Sequence, residues 1–317
     1  MSGEIDLIKN KFEPVYLKSL KNGQLDEKIS IAKESLKACD LCPRKCGVDR
    51  RSEQTGFCKT GINAKISSFN AHFGEESPLV GKNGSGTIFF THCSLLCNFC
   101  QNYDISHLGD GIEQSKEVLA SIMLKLQEMG CHNINFVTPS HVIYPILSAL
   151  KIAASNGLTI PLVYNTSCYD SINTIKLLDN VIDIYMPDFK FWSEKIAEKT
   201  CNAPDYPEKA RTAIKEMYRQ VGDLKCDNSG IAQRGLLVRH LVMPDNWAGT
   251  KQVMKFIAGI SKNTYINIMP QYRPCGKADE FTELSRHITS KEFANAVSDA
   301  KNEGLYNFDK RRAFFFT

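Results

Sequence analysis

Seven of the chain's twelve cysteines, Cys39, Cys42, Cys46, Cys58, Cys93, Cys97 and Cys100, crowd into two groups, and this crowding constrains the fold more than any other feature. Such density in a small secreted protein would indicate a disulfide framework. Here the chain has 317 residues, and the stretch 1–13 is too charged for the apolar core of an export signal, so metal or redox chemistry is the better reading. The first group, CDLCPRKCGVDRRSEQTGFCKTG, offers Cys39, Cys42, Cys46 and Cys58. Four thiolates can close a tetrahedral zinc site or hold all four irons of a 4Fe-4S cube, and Pro43, Gly47 and Gly56 supply the turns that bend a chain around a metal. The second group, THCSLLCNFCQN, places Cys93, Cys97 and Cys100 close together. Three thiolates can cap three corners of a cube and leave the fourth iron open to a chelating substrate; zinc with His92 or His107 as fourth ligand is the alternative. Cys131, Cys168, Cys201, Cys226 and Cys275 lie singly and are expected to fill the core.

The spacing CSLLCNFC, with Phe99 before its last cysteine, resembles the signature of radical S-adenosylmethionine (SAM) enzymes. Together with CDLCPRKCG, GFCKTG and HFGEESPLVGKNGSGTIFF, the chain is similar, from about Cys39 to Arg273, to the pyruvate formate-lyase activating-enzyme-like branch with a cysteine-rich N-terminus.

Independently of that likeness, the chain after the cysteines alternates apolar runs with amphipathic ones. Strands are expected at 87–91, 134–137, 160–164, 181–186, 236–242 and 265–268. Between them, helices are expected from Ser115 to Gly130 with Val118, Leu119, Ile122, Met123 and Leu126 on one stripe, and over 141–155, 171–178, 193–219 and 252–260. Repeated βα units imply a parallel sheet, and six of them fit an incomplete (β/α)6 TIM-like barrel of the α/β class, with chemistry at the C-terminal strand ends. The expected organisation is a helical, cysteine-rich metal-binding module over 1–75 followed by the barrel and a C-terminal tail over 76–317. Phe314, Phe315 and Phe316 in that tail are too apolar to float freely, so the tail is expected to dock. The composition, 43% hydrophobic and 23% charged, excludes a disordered or fibrous chain. No apolar run reaches membrane-spanning length, and the net charge of +4 is spread too thinly to predict a nucleic-acid groove; a cytoplasmic protein with no membrane partner is expected.

The resemblance implies a 4Fe-4S cluster on Cys93, Cys97 and Cys100 and SAM as cofactor, while the N-terminal quartet, read from its own cysteines, is expected to hold a second iron–sulfur cluster or zinc. The resemblance also assigns the strand ends. Phe99, Thr138, Ser140, Asn165, Thr166, Ser167, Asp188, Lys190, Arg239 and Tyr272 are the implied SAM contacts, with Asp188-Phe189-Lys190 similar to the Asp-x-Lys element of activating enzymes. Three departures stand out: Asn165 occupies the place of an Asp at which such enzymes help hold a monovalent cation, Thr138-Pro139-Ser140 replaces a Gly-Gly-Glu, and Tyr272 stands where a ribose-contacting His is usual. The implied activity is reductive cleavage of SAM to a 5′-deoxyadenosyl radical that abstracts hydrogen, with an electron donor such as flavodoxin or ferredoxin and a glycyl-radical enzyme or peptide as partners. Direct action on a peptide or small molecule, and a non-enzymatic iron–sulfur or zinc protein, are the competing readings. No general acid or base is needed for the first step, so His92 and His141 are read as structural.

Overall fold

A computed structural model describes residues 12–310, and the Phe-rich tail lies outside the described residues. Two short helices come first, α1 (Val15–Lys21) and α2 (Gln24–Glu34), and Tyr16, Leu25 and Ala32 on them join the main hydrophobic core. Between them Gly23 has a φ of 82°, a left-handed conformation that costs glycine no steric clash. The cysteine quartet follows. It has a small core of its own, where Leu36, Cys39 and Leu41 pack with Val48, Ile62 and Tyr144.

The sheet begins with β1 (Ala64–His72), and after the short helix α3 (Ser77–Val80) comes β2 (Ser85–Phe90), antiparallel to it with Phe69 opposite Ile88. β3 (Ile112–Gln114) pairs antiparallel with the other edge of β1. Neither β1 nor β3 has a counterpart in the sequence pattern. From β2 onward the main strands are parallel: β4 (Ile134–Val137), β5 (Leu162–Thr166), β6 (Ile184–Pro187), β8 (Ala232–Leu241) and β9 (Tyr265–Met269), with the two-residue β7 (Lys225–Cys226) an antiparallel partner of β8. The spatial order β2-β4-β5-β6-β8-β9 repeats the chain order, as successive βα units require. Strands buried on both faces read as continuous apolar runs, and β4, β5 and β6 are buried almost throughout. The result is a mixed α/β fold around one central sheet.

The connecting helices are α4 (Lys116–Glu128), α5 (Ile143–Ser155), α6 (Ile172–Leu177), α7 (Glu194–Cys201), α8 (Tyr206–Val221) and α9 (Thr250–Ile260), and α10 (Ser290–Asn302) follows β9. Ser115 caps α4 by accepting the Val118 N–H, while Leu119, Ile122, Met123 and Leu126 are buried; Val118 itself is exposed, off the expected stripe. β5 begins at Leu162 rather than 160 because Pro161 has no N–H to give a ladder. The expected helical stretch 193–219 divides at Asn202, which adopts a left-handed conformation, and restarts at Tyr206-Pro207. A boundary at residue 75 would part β1 from its partner β2, and α1, α2 and β1 share the core of the sheet; the expected modules 1–75 and 76–317 are therefore not separated as two cores. Among the described residues no helix is long and apolar enough to cross a membrane.

Candidate functional site

Because the six parallel strands run the same way, their C-terminal ends converge on one side of the sheet. A cavity of about 270 Å³ opens there. Its floor is the loop that leaves β2 at Thr91, and Cys93, Cys97 and Cys100 all line it. Around them stand Thr138 after β4, Asn165, Thr166 and Ser167 at the end of β5, Asp188 and Lys190 after β6, Arg239 on β8 and Gln271 after β9.

The cysteine loop is held from several sides. Cys93 Sγ accepts the Leu95 N–H at 3.3 Å, and the Ser106 hydroxyl donates to Cys100 Sγ at 3.2 Å. Asn98 N–H donates to the Thr200 carbonyl at 2.9 Å, and Asn98's own carbonyl accepts from Lys277 N–H at 2.7 Å. Three non-glycine residues lining the cavity, His92, Leu96 and Thr138, have positive φ values of 62°, 54° and 61°. Such backbone persists only where surroundings over-determine it. Gly109 allows the turn beside His92, since a Cβ there would lie 2.1 Å from the imidazole.

Burial pushes the Cys93 thiol up to about 12 and raises Cys100 as well. For Cys97 the hydrogen-bonding thiol of Cys201 is the main cause of a large upward shift, with burial second. Protons on these sulfurs must leave when a metal binds, so occupancy is coupled to their release. Among the described residues no three His, Cys, Asp or Glu side chains converge as ligands of a single ion. Three thiols from one loop are a donor set that a cube could take one per iron.

Opposite the thiols lies a chain of charges. Lys190 Nζ is 2.8 Å from Asp188 Oδ2, and Arg239 donates from Nε to Asp188 Oδ1 at 2.6 Å and from Nη2 to Asn165 Oδ1 at 2.7 Å. Behind them Arg239 Nη1 is 3.3 Å from Glu75, and Asn267 donates to Glu76 at 2.8 Å. Burial would raise Asp188, but Arg239 and Lys190 overcome it and hold the carboxyl down at about 2. Burial likewise would lower Lys190, yet Asp188 and Cys97 keep it above its ordinary value. Glu76 is pushed the other way, to about 7, first by burial, against Arg239 and with Glu75. Asp188 between Lys190 and Arg239 gives the wall both signs of charge, a character suited to a ligand carrying both.

Eight of the ten strand-end residues expected to touch SAM line this cavity; Ser140 and Tyr272 do not. Ser140 is buried with its hydroxyl 3.2 Å from that of Ser94, so it supports the cysteine loop from behind. The Tyr272 hydroxyl donates to the Leu284 carbonyl at 2.8 Å and its ring packs on Phe99, so its one O–H is committed away from the cavity. His141 is buried, donating from Nε2 to the Thr91 carbonyl, and His107 stacks on Tyr103 at 4.1 Å. The core-filler expectation holds for Cys131 and Cys168, which are buried, but Cys226 is exposed on β7 and Cys275 half-buried. Cys201 is buried against Cys97 itself, a long-range contact with no sequence signal. Gln271 and Met269 also line the cavity; Met269 ends β9 and Gln271 follows it, and their place at a strand end is the available signal.

The quartet is built differently. Cys39, Cys42 and Cys58 are buried and Cys46 half-buried, and none is in a disulfide. Cys39 N–H donates to Val48 O at 3.0 Å and Gly47 N–H to Cys39 O at 3.1 Å, so the strand-like returns fold the segment on itself. Phe57 N–H donates to Cys46 Sγ at 3.2 Å, and a Cβ on Gly56 would lie 2.7 Å from that sulfur. Burial pushes Cys42 up to about 12, and the three other thiols add to the rise as near neighbours.

No protein-family model matches the chain. It is 32% identical over 301 residues to an uncharacterized protein of Methanocaldococcus jannaschii, an alignment spanning 92% of this chain and 82% of that one. The chain belongs to the family of that archaeal protein. Among solved structures, a radical SAM methyltransferase from Sphaerobacter thermophilus aligns with a TM-score of 0.45 and 12% identity, over 69% of this chain and 64% of that one, a little under two thirds of its length.

Proposed function

We propose that the chain is a radical SAM enzyme, with Cys93, Cys97 and Cys100 holding a 4Fe-4S cluster and the six parallel strands acting as staves of an incomplete barrel. The observation that carries this reading is the seating of all three thiols of a C-x3-C-x2-C loop in one cavity whose other walls are polar strand ends. When bound, the cluster supplies the electron that splits SAM into methionine and a 5′-deoxyadenosyl radical.

The chain's own residues then bind and orient. Lys190 lies beside the thiols, where its ammonium can meet the carboxylate of SAM, and Asp188 keeps that ammonium charged and aimed. Thr138, Thr166 and Ser167 offer hydroxyls to ribose or amino groups at the cavity wall. Phe99, wedged on Phe191 at 5.7 Å between ring centroids, closes the apolar side and excludes water and stray hydrogen donors.

The resemblance to pyruvate formate-lyase activating enzymes belongs to the same proposal: the hydrogen would come from a glycine of a partner enzyme, with flavodoxin or ferredoxin as electron source in a cytoplasmic setting. Anaerobically reconstituted, reduced protein given SAM should release 5′-deoxyadenosine, and a Cys93→Ala/Cys97→Ala/Cys100→Ala variant should release none. Release by the triple variant would overturn the radical reading. Deuterium passing into 5′-deoxyadenosine from a labelled small metabolite, with no partner protein present, would refute the activase part alone.

A further inference from the structure

Two arginines inside the quartet segment connect it to the loop that carries the triplet, Arg44 directly and Arg50 through His141. Arg44 stands between Cys42 and Cys46. Its Nε donates to the Ser94 carbonyl at 2.9 Å, Nη2 to the carbonyls of Leu95 at 3.3 Å and Cys201 at 2.8 Å, and Nη1 to that of Asn202. Its guanidinium also lies 4.0 Å over the Phe57 ring. Ser94 and Leu95 fall between Cys93 and Cys97, and Cys201 is the residue whose thiol meets Cys97. One planar fork thus holds both neighbours of the triplet in place.

Arg50, between Cys46 and Cys58, is 1% exposed. Its Nη1 donates to the His141 carbonyl at 2.8 Å and lies 3.7 Å from Cys39 Sγ, while Nε and Nη2 donate to Gly61 O at 3.0 and 2.7 Å. His141 in turn donates to the carbonyl of Thr91, where the triplet loop begins. A buried guanidinium is costly unless negative charge stands beside it. These partners are two carbonyls and a thiol, none of them a carboxylate. The sulfurs of the quartet are the groups placed to supply that charge, and four of them together as thiolates would repel unless a metal neutralised them.

We propose that Cys39, Cys42, Cys46 and Cys58 hold a second iron–sulfur cluster, fully ligated by protein, which fixes the triplet loop through Arg44 and Arg50. The quartet offers four thiols from one segment, one for each iron of a cube. Arg44 is a positioning residue: it touches no reacting atom and acts by setting where Ser94 and Leu95 lie. The inference stands apart from the radical reading, since it is tested by metal content and amide exchange.

In the Cys93→Ala/Cys97→Ala/Cys100→Ala variant only the quartet remains, and anaerobic reconstitution should leave about four irons and about four sulfides per chain. About one zinc without sulfide, or no metal, would overturn the cluster. Hydrogen exchange of the amides over 91–100, measured in otherwise intact holoprotein, tests the coupling. Arg44→Ala, with quartet iron retained, and Cys46→Ser, with quartet iron lost, should each speed that exchange by about tenfold or more. Arg44→Lys keeps the charge without the planar fork and should fall between wild type and Arg44→Ala, which also guards against a Cys46→Ser chain that fails to fold. Exchange over 91–100 unchanged in Arg44→Ala would overturn the positioning role.

Discussion

The triplet and the quartet use the same side chain to opposite ends. Cys93, Cys97 and Cys100 look out from a strand end into a cavity of about 270 Å³ whose other walls carry charge and hydroxyls. Cys39, Cys42 and Cys58 look inward, into a loop that folds on itself and packs Leu36 and Leu41 against Tyr144. The difference teaches that thiol count alone does not assign a role: what matters is whether the fold leaves room and polar partners beside the sulfurs.

The sharpest way to break this contrast is at Arg239. Arg239→Ala removes the guanidinium that Asp188, Asn165 and Glu75 share in a buried network, a change that costs about 3–5 kcal/mol, read as a loss in urea-unfolding free energy. The quartet should keep its metal; a variant as stable as wild type would show that the charged wall is not integral to the cavity. Lys190→Ala should weaken SAM binding by roughly ten- to a hundredfold, the worth of a charge-assisted hydrogen bond of about 1.5–3 kcal/mol, with iron content unchanged. Equal affinity, measured by calorimetry, would return Lys190 to a structural role beside Asp188.

Glu76 sharpens the comparison through pH. Its folded carboxyl titrates near 7 against an ordinary 4.5, so between those values the folded state holds a proton that the unfolded chain has released. Stability from this group therefore falls as pH rises through that window, by at most about 1.4 kcal/mol per pH unit. Glu76→Gln should flatten the slope in thermal unfolding between pH 4.5 and 7; an unchanged slope would assign the titration elsewhere. The smallest effect is expected at Tyr272. Tyr272→Phe removes one hydrogen bond to Leu284, worth about 0.5–1.5 kcal/mol of stability, and should leave SAM affinity within experimental error, because the hydroxyl does not face the cavity.

The parallel strands were legible in the sequence because burial on both faces demands apolar runs, and those runs are long-lived signals. β1 escaped because it is buried at Ala64 and Ile66 and then exposed over Phe69 and Asn70, so it shows neither clean alternation nor a continuous run. α10, outside the expected helices, carries a readable sign in the capping box of Thr289 with Glu292. At the site, spacing along the chain identifies the cysteines, since their relation is local. Ser140 and Tyr272 show where that method stops: each follows a strand end, but side-chain direction there depends on how the backbone turns, and Thr138's positive φ is part of a turn that no spacing announces. The thiol of Cys201 beside Cys97 is a product of folding at a distance.

The two antiparallel strands on the β2 side have a bearing on how the protein wears. A strand at the rim of a sheet frays and recruits foreign strands. Because β1 covers β2 and β3 covers the start of β1, the strand that roots the cysteine loop has a ladder on both flanks. The rim is passed outward to β3 and to the part of β1 that β3 does not cover, so that fraying there leaves the root of the cysteine loop paired on both sides.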